Sequence, residues 1–184
     1  ELGADAFRLY EMFMGAFDQA IPWSTEGARG CRRFLDRVWR LMEMLVDSDK
    51  VSSDMAYDVN FTIKKVSEDY ERMKYNTAIA QMMSLVNAFY AKGQITRGEL
   101  RILCQLLNPV SPHITEEINE LCNLGPELFR SPWPKCDETA LVKQTVEIAI
   151  QINGKIRGRI EIPAGLTREN AEAYFAEYAE VQKL

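Results

Sequence analysis

Apolar residues recur at three- and four-residue spacing through the first two thirds of the chain and at two-residue spacing after it. The period of the pattern therefore divides the molecule. Over residues 3–20, Phe7, Tyr10, Phe13, Met14 and Phe17 keep a helical repeat, with Asp5 placed to serve the free amides of the first turn. Residues 21–25 form a connection in which Pro22 stops that helix and Ser24 or Thr25 can cap the next. The next helix, 26–46, organises the rest. Cys31, Phe34, Leu35, Val38, Leu41, Met42 and Leu45 fall within an arc of roughly 120°, and Arg29, Arg33, Arg37 and Arg40 lie opposite them within roughly 80°.

A third helix is predicted over 56–70, with Val59, Ile63, Val66 and Tyr70 inward. A fourth, 75–91, is the most apolar and is expected at the centre, with Ile79, Met82, Met83, Val86 and Tyr90 in register. Gly93 stops it. Thr96 and Glu99 form a capping box for a fifth, whose inner stripe is Leu100, Leu103, Leu106 and Leu107. Asn108-Pro109 and Ser111-Pro112 break that helix, and Pro112 opens a sixth over 113–122 with Ile114, Ile118 and Leu121 inward. The expected fold is mainly α: a five- or six-helix bundle over 1–122, then a proline-rich linker over 123–143 that packs through Phe129 and Trp133.

A small module over 144–184 follows. Val146, Ile148, Ile150 and Ile152 alternate with more polar residues, Asn153-Gly154 is a strong hairpin signal, and Ile156, Ile160 and Ile162 carry the return strand. Lys155, Arg157 and Arg159 are expected on its other face. Thr167 can cap a final helix carrying Ala171, Tyr174, Phe175 and Tyr178. A hairpin and one helix, about 40 residues, is near the limit for independent folding, so this module is expected to be the least stable part. Glu1 in place of Met, and Leu184 within a helical pattern, suggest a chain cut from something longer, with at least one more strand beyond Leu184.

The hydrophobic fraction of 47% permits a real core, and no apolar run approaches a membrane span. A net charge of −5 argues mildly against a dedicated nucleic-acid binder. The charges are unevenly placed, however. Residues 29–40 hold five Arg against Asp36 alone, whereas 43–58 hold five acids and one Lys. Cys31, Cys104, Cys122 and Cys136 have no CxxC spacing and one histidine between them, which suits reduced cytoplasmic thiols better than a zinc site or disulfides.

No catalytic constellation emerges. Any Ser–His or Cys–His chemistry must pass through His113, whose place beside Pro112 suits a half-buried structural histidine. Glu116 and Glu117 are adjacent on a helix and face apart, and no glycine-rich phosphate loop is present. The arginine row is the better lead. Periodicity alone favours a solvated face with pairs such as Arg32–Asp36 and Asp36–Arg40. The alternative is phosphate, which a guanidinium fork meets two oxygens at a time. Lys155, Arg157 and Arg159 make a second patch. Two patches with no enzyme site between them suit a long folded RNA better than a small ligand.

Several stretches carry a resemblance: GADAFRLY (3–10), Trp23, EGARGCRRFLDRVWRL (26–41), YNTAIAQMMSLVN (75–87), NPVSPHITEEI (108–118), PWP (132–134) and VEIAIQINGKIRGRI (146–160). In that order they are similar to the C-terminal part of bacterial-type leucyl-tRNA synthetases, class I aminoacyl-tRNA synthetases. The resemblance implies an anticodon-binding-type helical bundle followed by the start of a small C-terminal domain. It implies the tRNA-binding portion of a leucine–tRNA ligase, holding tRNA(Leu) while an N-terminal domain absent from this chain performs ATP- and Mg-dependent leucylation. The chain itself would be without catalytic or editing sites, cofactor or metal, and would work as a cytoplasmic monomer joined to the remainder of the synthetase. The family's RFLxR pattern falls on Arg33 and Arg37, with Arg29 and Arg40 flanking. The rival expectation is a helical protein–protein interaction module whose Arg face meets an acidic partner.

Overall fold

Several helix boundaries fall where a side chain or a special backbone angle satisfies the free groups at a helix end. The computed structural model describes residues 2–16, 20 and 22–141, and the backbone of 145–152 and 155–163. Phe17, the Asn153-Gly154 turn and the helix expected after Thr167 lie outside the described residues. Helix α1 (Ala4–Phe13) ends earlier than its apolar pattern suggests. Helix α2 (Thr25–Arg40) starts from Ser24, whose hydroxyl accepts the Gly27 N–H at 3.1 Å. It does not run to 46. A 3-10 turn, Leu41–Met44, leads into the two-residue strand β1 (Leu45–Val46). This strand pairs in parallel with β2 (Ile95–Thr96), Leu45 opposite Ile95 and Val46 opposite Thr96.

Helices α3 (Ala56–Glu71) and α4 (Tyr75–Lys92) follow, and α4 ends at Gly93 with φ 78°, a left-handed angle that glycine adopts without a Cβ penalty. The capping box of α5 (Arg97–Leu107) closes both ways: the Thr96 hydroxyl accepts the Glu99 N–H at 3.1 Å and Glu99 accepts the Thr96 N–H at 2.9 Å. The second carboxylate oxygen of Glu99, wholly buried, takes the Ser52 N–H at 2.9 Å and also its hydroxyl. The polar run after β1 is thereby pinned to the start of α5. Helix α6 (Pro112–Leu121) has proline in its first turn, where a missing N–H costs nothing.

The core is the mainly α bundle that the periodicity predicts. Ile79, Met82, Val86 and Phe89 of α4 have no exposed surface, and α4 touches α1, α2, α3 and α5. Each fully buried side chain of this size contributes about 1.5–3 kcal/mol. Two residues expected inside are not: Phe7 is 53% and Leu121 59% exposed. Each sits on a helical stripe with a buried member, Tyr10 and Ile118 respectively, so the stripe is wider than the surface that covers it.

The proline-rich stretch after α6 is tied down by side chains. Arg101 donates from Nη1 to Asn119 Oδ1 at 3.0 Å and to the Leu124 carbonyl at 3.1 Å, and from Nη2 to the Ser131 hydroxyl at 2.9 Å. Trp133 donates its indole N–H to Ser67 at 2.8 Å, and Asn60 accepts the Asp137 N–H at 2.7 Å. Trp133 anchors as expected; Phe129 does not. It is 63% exposed, and the neighbouring Leu128 is buried in its place.

The chain divides into two compact units, Glu1–Leu141 and Val142–Leu184. In the second, β3 (Thr145–Ile152) and β4 (Lys155–Pro163) pair antiparallel, Val146 opposite Ile162 and Ile148 opposite Ile160. The register then shifts: Ile150 faces Gly158 but Gln151 faces Ile156, leaving Arg157 as an extra residue. The uninterrupted alternation expected of the return strand is broken there by a β-bulge.

Candidate nucleic-acid interface

Helix α2 has a dry side and a charged side because its sequence separates them at helical spacing. Ala28, Cys31, Phe34, Leu35 and Val38 are buried, and the arginines lie away from them. Their surroundings differ from one to the next. Arg29 bonds Glu26 at 2.7 Å, with both side chains largely exposed. Arg32, off the row, bonds Asp36 at 2.9 Å and the Leu2 carbonyl at 3.3 Å. The expected Asp36–Arg40 pair does not form. Among the described residues, Arg33 and Arg40 are exposed and have neither a hydrogen-bond nor an ion-pair partner. Exposed pairs such as Arg29–Glu26 contribute at most about 1 kcal/mol, so Arg29 can exchange its partner for a phosphate at little cost.

Arg37 is half-buried. Its Nη2 donates to Asn87 Oδ1 at 2.8 Å, and its guanidinium carbon lies 4.8 Å from the centre of the Tyr90 ring. Tyr90 in turn donates its hydroxyl to the backbone carbonyl of Arg37 at 2.8 Å. Asn87 lies outside the apolar pattern of α4 and Tyr90 belongs to the stripe expected inside; the sequence signal that joins them is their i, i+3 spacing on one face of α4.

The second basic set lies in the other compact unit. Lys155 is opposite Ile152, Arg159 is opposite Ala149, and Arg157 is the bulge residue.

The remaining candidates for chemistry are engaged otherwise. His113 is exposed rather than half-buried, because it lies on the open side of α6; its Nδ1 is 2.7 Å from Asp5 Oδ1. Glu116 accepts the backbone N–H groups of Leu128 at 3.0 Å and Phe129 at 2.9 Å, so it holds a turn. An open indentation of about 510 Å³ is lined by Asp5, Arg32, Asp36, Trp39, His113 and Glu117, a mixture of signs with no converging nucleophile. All four cysteines are free thiols. Burial pushes the Cys31 thiol up to about 11 and that of Cys104 higher still, so neither is a ready nucleophile. Among the described residues no three His, Cys, Asp or Glu side chains gather to hold a metal ion, and no helix is long and apolar enough to cross a membrane.

Comparison with known proteins bears on the chain as a whole. Residues 54–173 match the family model of the anticodon-binding domain of tRNA ligase, a stretch that begins after α2. The chain is 48% identical to a leucine–tRNA ligase of Alkaliphilus oremlandii (strain OhILAs) over 175 residues, which is 95% of this chain and 22% of that protein. The LeuRS chain in the crystal structure of the ternary complex of Agrobacterium radiobacter K84 agnB2 LeuRS, tRNA and LeuAMS is similar, with a TM-score of 0.78 and 30% identity. That likeness covers 99% of this chain and 26% of the other. The chain thus spans about a quarter or less of the length of these relatives.

Proposed function

The chain belongs to the anticodon-binding domain family of tRNA ligases, and from that premise we propose that it is the tRNA-binding portion of a leucine–tRNA ligase. The observation that carries the reading is the 48% identity to a leucine–tRNA ligase along 95% of the chain. The arginine row of α2 supports it chemically. Arg33 and Arg40 offer unengaged guanidinium groups, Arg37 a held one and Arg29 an exchangeable one, along one side of a helix whose other side is fixed in the core. Such a row grips the phosphates of a folded RNA without reading its bases. Lys155, Arg157 and Arg159 of the hairpin add a second grip.

In this reading the substrate is tRNA(Leu), and the remainder of a cytoplasmic, monomeric synthetase performs the ATP- and Mg-dependent leucylation. The part played by this chain is to bind and orient. A salt titration tests it. If several phosphates are met, log K for tRNA(Leu) falls linearly with log salt, at roughly 0.7–0.9 per contact. Arg33→Ala lowers both the affinity and that slope. A flat response, or equal affinity for an acidic protein, overturns the reading.

A further inference from the structure

Resting on the tRNA reading above, we infer that Asn87 and Tyr90 are positioning residues that hold the Arg37 guanidinium ready for a phosphate. Two contacts hold the guanidinium and a third ties the Arg37 backbone to the same helix. Asn87 Oδ1 accepts one of its N–H bonds at 2.8 Å, the Tyr90 ring lies 4.8 Å beneath it, and the Tyr90 hydroxyl bonds the backbone carbonyl of Arg37 at 2.8 Å. Both partners come from α4, whose inner face is wholly buried, so they stand on a helix anchored in the core.

The chemistry of the partners distinguishes this arginine from its neighbours. Arg29 and Arg32 are held by carboxylates, Glu26 and Asp36, which cancel the charge they orient. Asn87 and Tyr90 are neutral, so they fix the fork and leave its charge to an outside anion. A guanidinium has five N–H donors, and the contact to Asn87 uses one. An arginine already held forfeits less side-chain freedom on binding, a saving that corresponds to roughly two- to tenfold in affinity.

The test is tRNA(Leu) binding by the full-length protein across a salt series, with Asn87→Ala, Tyr90→Leu, Arg37→Ala and the pairwise combinations. Asn87 is exposed, so Asn87→Ala keeps the fold, which thermal unfolding checks. Asn87→Ala and Tyr90→Leu are expected to weaken binding two- to tenfold with the salt slope unchanged, because the charge remains. Arg37→Ala lowers the slope by roughly 0.7–0.9, and in that background the α4 substitutions have no further effect. Wild-type affinity in the α4 variants, where Arg37→Ala still weakens binding, overturns the inference and leaves the proposed function standing. So does an undiminished effect of Asn87→Ala in the Arg37→Ala background. If Arg33→Ala and Arg37→Ala both bind as wild type, the arginine-row reading itself fails.

Discussion

The Asp5 carboxylate accepts the backbone N–H of Ile114 at 2.7 Å, 109 positions along the chain, and so closes the start of α6 from α1. It also accepts the His113 N–H at 3.4 Å and meets His113 Nδ1 at 2.7 Å. Ser111, at the N-cap position of α6, makes no side-chain cap, and its buried hydroxyl has no partner among the described residues. Its place in the sequence suits Asp5 to serve its own helix. It serves a different one, and thereby joins the first and last helices of the bundle.

Asp5→Ala leaves partly buried N–H groups of α6 without their carboxylate partner and should lower stability by about 1–2 kcal/mol. Asp5→Asn, which keeps one acceptor oxygen, should lose less. Urea unfolding midpoints check both, and a wild-type midpoint for Asp5→Ala would show that water caps α6 equally well.

Gly98 and Gly30 should respond in opposite directions to alanine. A Cβ on Gly98 would sit 2.2 Å from the Asp49 carbonyl oxygen, a backbone atom of the loop pinned by Ser52 to Glu99. Neither side can yield cheaply, so Gly98→Ala should destabilise by more than about 1 kcal/mol. On Gly30 the nearest atom is the mobile Arg33 Nη2 at 3.8 Å, an ordinary contact. Gly30→Ala should therefore stabilise by roughly 0.5–1 kcal/mol, the helical advantage of alanine over glycine. Thermal unfolding of the two variants side by side decides it.

The contrast between these sites and the capping box marks what a sequence can disclose. Thr96 and Glu99, the Gly93 stop and Pro112 are local signals, each complete within a few residues, and the structure repeats them. The Asp5–Ile114 bond and the Gly98–Asp49 approach have partners far along the chain, and no pattern of spacing points to them. Leu45 and Val46 continue the apolar stripe of α2, yet they form a strand, because two residues are too few to show a period of two. Periodicity also groups Phe7 with Tyr10 and Leu121 with Ile118 without showing how far the covering surface extends. For the interface, the arginine row was visible as a row. That Arg37 is held by α4 while Arg33 is free depends on tertiary contact and was not.

Asp69 should give the bundle a measurable acid sensitivity. Burial pushes its carboxyl up, but the bonds from Lys65 Nζ at 2.7 and 2.8 Å and from the Thr77 hydroxyl at 2.6 Å outweigh that and hold it below the ordinary range. A carboxyl with a lowered pKa in the folded state adds stability that is fully present above the ordinary Asp value, about 3.9, and is lost as pH falls through the folded value. Asp69→Asn lacks this dependence. Wild type should thus exceed Asp69→Asn in unfolding midpoint near pH 7, and the gap should narrow as the pH falls to about 3. A constant gap would mean that the Lys65 and Thr77 contacts do not depend on the charge of Asp69.

Arg33 and Arg37 should separate when each is replaced by alanine and the unfolding temperature is measured. In the sequence the two are alike, members of one arginine row on the side of the helix opposite its apolar face. Arg33 has no hydrogen-bond or ion-pair partner among the described residues, and its loss should change stability by less than about 0.5 kcal/mol. Arg37 bonds Asn87 and lies over Tyr90, and each contact is a neutral–cation one at a partly exposed site. Together they contribute on the order of 1–2 kcal/mol. For a chain of this length that corresponds to a lowering of about 2–8 °C for Arg37→Ala, against no resolvable change for Arg33→Ala. Calorimetry on the two variants measures the difference directly. Equal unfolding temperatures would mean that the α4 contacts of Arg37 contribute nothing to the fold. A binding defect in Arg37→Ala would then report only the lost RNA contact, whereas the expected lowering requires binding to be compared at temperatures well below the transition of either protein.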